Sequence, residues 1–198
     1  MKKIACSIVV VVVLAVVMAG SLAKAVDNSE LAIGLNGSKV LNPKADLTFH
    51  VSFGNLEMSY QPYGYLGTNF KFSKNFNTEF MLGYGFEQLE EKRGFIYVVA
   101  PWVKLGKSNL EGDWEYLEGL KCISIYNDIT YPVGSVKIGL DNRNFFYPDA
   151  KENQAYQFGP SLRIPFSEHT TLALIYFVSF PEQGERENII RVKLSFKF

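Results

Sequence analysis

The sequence predicts an all-β protein whose antiparallel strands close into a barrel with an apolar outside and a polar inside. Short runs of alternating apolar and polar residues follow one another along the chain, separated by turn residues. No stretch after the N-terminal region shows the 3.6-residue period of an amphipathic helix. The last ten residues, IIRVKLSFKF, alternate strictly and end on an aromatic side chain. This alternation suits a strand with lipid on one face and water on the other.

The N-terminal region is typical of a secretory signal peptide. Two lysines precede an apolar run at residues 4–18, and Ala23-Lys24-Ala25 has the small-x-small form of a signal-peptidase site. We therefore predict a cleaved signal peptide at residues 1–25 and one mature domain at residues 26–198. An uncleaved helix is the alternative, but the cleavage site and the lack of a basic stop-transfer cluster favour a signal peptide.

Composition narrows the classes of function. The chain has 20 basic and 20 acidic residues, and removing the three lysines of the signal peptide leaves the mature domain near −3. A nucleic-acid-binding protein has a strongly basic face, so nucleic acid is not an expected partner. Cys122 is the only cysteine of the mature domain, and the chain has two histidines. Neither a disulfide, a metal site nor a cofactor is therefore expected.

Turn residues divide the mature chain into about twelve predicted strands. A two-residue turn at Gly54-Asn55 would pair Phe53 with Leu56 in a hairpin. Similar turns are predicted at residues 73–77, 106–109, 132–135 and 167–169.

Strand number is predicted as ten to twelve, with twelve preferred and eight possible. Twelve strands of roughly ten residues leave about five residues for each connection, a usual length. An even number would put both ends of the chain on the same side of a membrane. Pro101, Pro160 and Pro165 fall inside predicted strands, where we expect them to mark bulges or strand ends.

These features resemble those of Gram-negative outer-membrane β-barrel proteins, across the whole chain as architecture and without indicating a particular family. The resemblance implies an outer-membrane location, with membrane lipid and lipopolysaccharide as partners. It also implies recognition by the barrel-assembly machinery through the C-terminal strand. The residues that match that signal are Ile190, Val192, Leu194, Phe196 and the final Phe198. The oligomeric state is left open.

A soluble periplasmic barrel or sandwich is the alternative fold, since its strands alternate too. Small residues on the polar face, such as Gly83, Gly139 and Ser161, favour a closed lumen. The many aromatic residues of the apolar face favour membrane-interface girdles.

Two walls of charge are predicted on the lumen side of the strands. Glu111, Asp113 and Glu115 alternate along one strand, and Asp128 lies on the next. In a twelve-stranded barrel these strands lie across the lumen from the last strand. The basic residues of the later strands are Arg163, Arg191, Lys193 and Lys197.

The charge pattern predicts a narrow porin-like channel for small polar or charged solutes, selected by a transverse field. The alternative is a plugged structural or interaction barrel whose lumen charges pair with one another. The predicted connection 141–154 carries Phe145-Phe146-Tyr147-Pro148, which could contact a partner protein, lipopolysaccharide or the barrel wall.

An enzyme is the third class, although none is expected. His50-Val51-Ser52 has the His-x-Ser spacing that some outer-membrane lipid hydrolases use as base and nucleophile. Both side chains face the lumen in the predicted register, and no acid stands out as a third member. A solvated lumen histidine is the favoured interpretation, and His169 is expected to be a solvated turn residue.

Overall fold

The part of the chain that the structure describes is an all-β closed barrel of eleven strands. The computed structural model describes residues 28–54, 63–87, 92–148, 155–181 and 186–198, so the predicted signal peptide lies outside the described residues. Within these ranges no helix is long and apolar enough to span a membrane. The strands are β1 (Asn28–Asn42), β2 (Ala45–Gly54), β3 (Tyr63–Ser73), β4 (Phe76–Glu87), β5 (Lys92–Leu105), β6 (Ser108–Leu117), β7 (Cys122–Val133), β8 (Val136–Phe146), β9 (Ala155–Ser167), β10 (Thr170–Pro181) and β11 (Glu187–Lys197).

Every strand pairs with its neighbour in the chain in an antiparallel manner, and β1 closes the barrel against β11. The closing pair is parallel, with Glu30 beside Arg191 and Gly34 beside Ser195. Because the strand number is odd, β1 begins at one end of the barrel and β11 finishes at the other. The prediction of a closed barrel of ten to twelve strands is confirmed. The preferred count of twelve, which would put both ends of the chain at the same end of the barrel, is wrong.

The hairpin predicted at Gly54-Asn55, with a strand at residues 56–60 after it, falls outside the described part of the chain. Among the described residues β2 and β3 are neighbours in the sheet, and the register pairs Ser52 directly with Tyr63. This pairing is set by the hydrogen bonds of the whole sheet, which the local alternation of one strand does not reveal.

The connections at the two ends of the barrel differ in length. Two-residue turns join the strands at one end, which we call the tight-turn end; they lie at residues 43–44, 74–75, 106–107, 134–135 and 168–169. Gly106 and Gly134 take the left-handed conformation in these turns, with φ of 64° and 60°. Four of the turns were predicted. The opposite end, with connections of four to eight residues, is called the long-connection end.

The three prolines interrupt the sheet in two ways. Pro165 lies beside a shift in the pairing of β9 with β10, as predicted. Pro101 and Pro160 lie within β5 and β9, so the expectation that they mark bulges or strand ends is wrong there. Regular pairing stops beside each of them toward one neighbouring strand only. Proline has no N–H to donate, and the intact pairing on the other side holds the strand in place.

The outer face of the barrel carries a belt of exposed apolar side chains on β2 to β10, whereas the outward-facing Leu172, Val192 and Leu194 of β10 and β11 are buried. Leucine and isoleucine occupy its middle, as at Leu66, Leu82 and Leu140. Aromatic pairs between neighbouring strands lie toward both ends. They are Tyr84–Phe95, Tyr97–Tyr116, Phe146–Tyr156 and Phe158–Phe180 near the long-connection end, and Phe70–Phe80 and Phe72–Phe76 near the tight-turn end.

The two larger clusters of buried apolar side chains lie inside the barrel, at the long-connection end. Five large inward-facing side chains of these two clusters are fully buried; they are Ile96, Leu117, Phe145, Phe177 and Ile189, and we call them the apolar layer. Phe145 was predicted to lie in a connection, but β8 continues through Phe146 and turns Phe145 into the lumen. The barrel is therefore filled at one end by its own side chains.

We expect Gly159→Ala to destabilise the barrel, because a Cβ at Gly159 would lie 1.7 Å from the carbonyl oxygen of Tyr176. Separating β9 from β10 to relieve this overlap should lower the free energy of unfolding by about 1–3 kcal/mol. Gly34→Ala is the matched control, because its nearest neighbouring atom would be 3.7 Å away. Urea unfolding of the refolded variants measures the difference, and equal midpoints would contradict this packing of β9 against β10.

Candidate functional site: a charged cavity in the barrel lumen

A cavity of about 370 Å³ occupies the lumen below the apolar layer. Its wall is formed by inward-facing residues of the strands, most of them polar or charged. Exposure increases toward the tight-turn end: the Glu111 side chain is 39% exposed, whereas that of Arg191, deeper in the lumen, is 6% exposed. The cavity therefore opens toward the tight-turn end and is closed at its inner end.

The acidic wall consists of the carboxylates that alternate along β6. Glu111, Asp113 and Glu115 all line the cavity, and Asp128 of β7 lies beside Glu111 in the register. The hydroxyl of Tyr65 donates a hydrogen bond to the Glu115 carboxylate. One oxygen of Asp113 is buried without a hydrogen-bond donor among the described residues. The period of two along β6 places these carboxylates on one face.

Basic residues of β11 stand across the lumen from the acidic wall. Counting around the barrel, β6 is five strands from β11 in one direction and six in the other. Arg191 and Lys193 line the cavity, and Lys193 interacts electrostatically with Asp113 across it. Lys197 also faces inward in the register, but it lies at the tight-turn rim, outside the cavity lining.

The sequence predicted that Arg163 belongs to a basic wall that faces the acids across water, and its contacts in the structure are different. Its guanidinium binds acids of β7 and β8 directly, with Nη2 2.7 Å from Oδ2 of Asp128 and 3.1 Å from Oδ1 of Asp141. Glu111 lies 4.0 Å from its Nη1. These charges therefore form a paired cluster on one side of the lumen. Asp141 was missed because it had been assigned to a connection, whereas it lies within β8.

Two further buried charges lie at the inner end of the lumen. Glu30 of β1 pairs with Arg191 across the closing strand pair. Arg143 of β8 is 5% exposed and lies over the ring of Phe145, 4.4 Å from its centroid. Nη1 of Arg143 is buried without a hydrogen-bond acceptor among the described residues. The sequence signal that could have placed Arg143 in the lumen is the alternation through Asp141, Arg143 and Phe145. It was missed because these residues lay inside the predicted connection.

His50 and Ser52 face the lumen, as the predicted register requires, but they are not assembled as a base and a nucleophile. Nδ1 of His50 lies 2.7 Å from Oδ1 of Asn36, and Nε2 lies 3.1 Å from Oε1 of Glu79. Both ring nitrogens are therefore engaged away from the Ser52 hydroxyl, which a general base would have to contact. His50 contributes instead to the polar wall of the cavity.

The donor atoms of the lumen do not gather into a metal site in the described part of the chain. No group of three or more histidine, cysteine, aspartate or glutamate side chains there has a suitable arrangement. Cys122 is buried in the apolar cluster near the long-connection end, with its thiol unpaired to any other cysteine. The chemical character of the cavity thus comes from its carboxylates, cations and hydroxyl groups.

No protein-family model matches the chain, and no curated protein matches its sequence. Its function is therefore inferred from the geometry of the barrel.

We expect Arg163→Met to be strongly destabilising, since it would leave the buried carboxylates of Asp128 and Asp141 without a counter-charge. Breaking a buried ion pair by removing one partner costs about 3–5 kcal/mol. Lys197→Met is the control, because Lys197 is exposed at the rim and should change the free energy of unfolding by less than about 0.5 kcal/mol.

Urea unfolding of both refolded variants tests this expectation. Adding Asp128→Asn and Asp141→Asn to Arg163→Met should recover part of the lost stability, because no buried negative charge then remains unpaired in the cluster. A single Arg163→Met variant as stable as the Lys197→Met variant would contradict the paired cluster.

Proposed function

We propose that the protein is an integral outer-membrane β-barrel that forms a narrow, gated channel for small polar solutes. In the proposed resting state the apolar layer closes the lumen, and the charged cavity receives solutes from the tight-turn end. The observation that carries this proposal is the inverted distribution of polarity, with large apolar side chains outside the barrel and charged side chains inside it.

The outer belt supports a membrane location. Soluble monomers rarely expose a contiguous apolar patch larger than a few hundred Å², whereas this belt includes exposed apolar side chains on every strand from β2 to β10. Aliphatic residues between two zones of aromatic residues suit a hydrocarbon layer and its two interfaces.

Polar side chains on the outer face are compatible with lipid because they bind one another. Nε1 of Trp114 donates to Oδ1 of Asn127 at 3.0 Å, and Nδ2 of Asn144 donates to Oδ1 of Asn142 at 2.9 Å. Hydrogen bonds within the protein remove most of the cost of placing such groups in hydrocarbon. The sheet itself has no free edge, because β1 and β11 close it.

Turn length suggests an orientation in the membrane. Outer-membrane barrels have short turns on the periplasmic side and longer loops outside the cell. The tight-turn end would then face the periplasm, and the cavity would open in that direction. The apolar layer would lie beneath the outer loops, where it would separate the cavity from the outside.

The apolar layer and the charged cavity support gated passage. Hydrophobic constrictions close channels by excluding water, and rings of charged side chains select among solutes. Here Phe145 and Phe177 of the layer lie directly against Arg143 and Arg191 of the cavity, at 4.4 and 4.8 Å from ring centroid to guanidinium carbon. A movement of these pairs would connect the cavity to the long-connection end.

A permanently plugged structural barrel is the second candidate, and the filled layer itself favours it. It differs from the gated channel in one respect: removing side chains from the layer would not produce selective conduction. No geometric observation favours a lipid hydrolase, because both ring nitrogens of His50 are engaged by Asn36 and Glu79.

We expect the mature protein to fractionate with the outer membrane and to resist extraction with urea or alkaline carbonate, since its belt requires lipid. It should also migrate faster in electrophoresis before heating than after heating, as folded barrels do. Release with the periplasmic contents after osmotic shock would contradict the membrane location.

We expect the refolded wild-type protein to be nearly silent in a planar bilayer, and the double variant Phe145→Ala/Phe177→Ala to open in discrete steps. The reason is that both side chains belong to the fully buried apolar layer. Phe158→Ala/Phe180→Ala is the matched control, because those stacked rings lie on the outer face, 5.9 Å apart.

Lys193→Gln in the open variant should shift ion selectivity toward cations, since it removes a positive charge that lines the cavity. A folded double variant that stays silent would contradict gating and favour the plugged barrel. Steady conduction by the wild-type protein would show that the layer does not close the lumen.

A further inference from the structure

We infer that the inner end of the cavity is a binding site for a small zwitterion, a molecule that carries one amine and one carboxylate a few ångströms apart, such as an amino acid or a dipeptide. This inference rests on the proposed entry of small polar solutes into the lumen and names their chemical class. It depends on two unsatisfied groups of opposite charge that line the same cavity, Asp113 and Arg143.

Arg143 is the anion-binding half of the site. It is 5% exposed, lines the cavity, and has a buried Nη1 without an acceptor among the described residues. The neighbouring Arg191 is already bound by Glu30, so it adds positive potential without offering Arg143 an acceptor. A ligand carboxylate would supply a charge-assisted hydrogen bond, which is the interaction that a guanidinium forms best.

Asp113 is the cation-binding half. Its Oδ1 is buried without a donor, and the next inward-facing residue of the same strand is Glu115. Glu115 accepts its described hydrogen bond from the neutral hydroxyl of Tyr65. Two adjacent carboxylates thus face the cavity, and the described cations that act electrostatically on Asp113 are Lys193, from across the lumen, and Arg143. A ligand ammonium would supply both charge and donors to this wall.

The two halves lie at the same level of the barrel. Asp113 pairs with Tyr126 of β7, and Tyr126 pairs with Arg143 of β8, so the two charged residues are separated by one strand. Two strand spacings amount to about 10 Å between backbones, and both side chains point into the lumen. A small molecule whose charges are a few ångströms apart can therefore contact both. The cavity volume of about 370 Å³ is within the range of small-molecule sites.

A ligand with both charges fits this site better than one with a single charge. A simple anion near Arg143 would also meet the carboxylates of Asp113 and Glu115. A simple amine near Asp113 would meet the cationic side chains of Arg143 and Lys193. A zwitterion that spans Asp113 and Arg143 satisfies both residues at once, because each of its charges lies beside a side chain of the opposite sign.

Calorimetric titration of the refolded, full mature barrel in detergent tests this inference. The probes are glycine and glycylglycine, with ethylamine and propionate as single-charge controls of similar size. We expect saturable binding of at least one of the two zwitterions, and at least tenfold weaker binding of both controls.

Two variants locate the site. Asp113→Asn and Arg143→Gln should each weaken zwitterion binding at least tenfold, because each removes one of the two charge contacts. Lys197→Gln, at the rim and outside the cavity, should leave the affinity unchanged. Heat-modifiable migration shows that each variant is folded, and the near-isosteric Asp113→Asn keeps the test informative if Arg143→Gln does not fold.

Several outcomes would overturn the inference. One is that propionate or ethylamine binds as tightly as the zwitterions do. Another is that the affinity for zwitterions is unchanged in both variants. The third is that neither zwitterion binds to the folded protein. None of these would alter the membrane-fractionation or conductance results, so failure of the ligand class is distinguishable from failure of the proposed channel.

Discussion

Closure of the sheet by the parallel pairing of β1 with β11 is the constraint on which the rest of the structure depends. With that pair in place every strand has a hydrogen-bonded neighbour on both sides, and no edge remains. A closed sheet also gives each strand one inner and one outer face. A register slip of one residue would exchange those faces completely, so the apolar belt and the charged lumen both follow from closure.

Closure also determines how the lumen charges are balanced. Pairing β1 with β11 brings Glu30 beside Arg191 at the inner end of the cavity, where neither charge has much contact with water. Arg163 is likewise surrounded by carboxylates of β7 and β8. Burial makes an unpaired charge expensive, so most lumen charges have a partner. Asp113 and Arg143 are among the lumen charges that keep a buried atom without a hydrogen bond, and they are the two on which the proposed ligand site depends.

The lumen is therefore divided by depth as well as by charge. Its inner end is filled by apolar side chains, and its outer end is polar and open toward the tight turns. A barrel of this size is wide enough for a cavity but narrow enough that a few large side chains can fill its section. In the proposed function these two parts act in series: the cavity selects a solute, and the layer controls whether the solute can pass.

The sequence by itself determined the β class, most tight turns and the face of the residues within the predicted strands, because these follow from a local period of two. All eight predicted lumen residues, from Glu111 to Lys197, face inward in the register for this reason. Only the tertiary structure decided the strand number, the pairing of Arg163, the place of Arg143 and the apolar layer around Phe145. Each of these depends on which distant strands become neighbours or face each other across the lumen. Such long-range contacts are fixed by closure of the whole sheet and leave no periodic signal within a single strand.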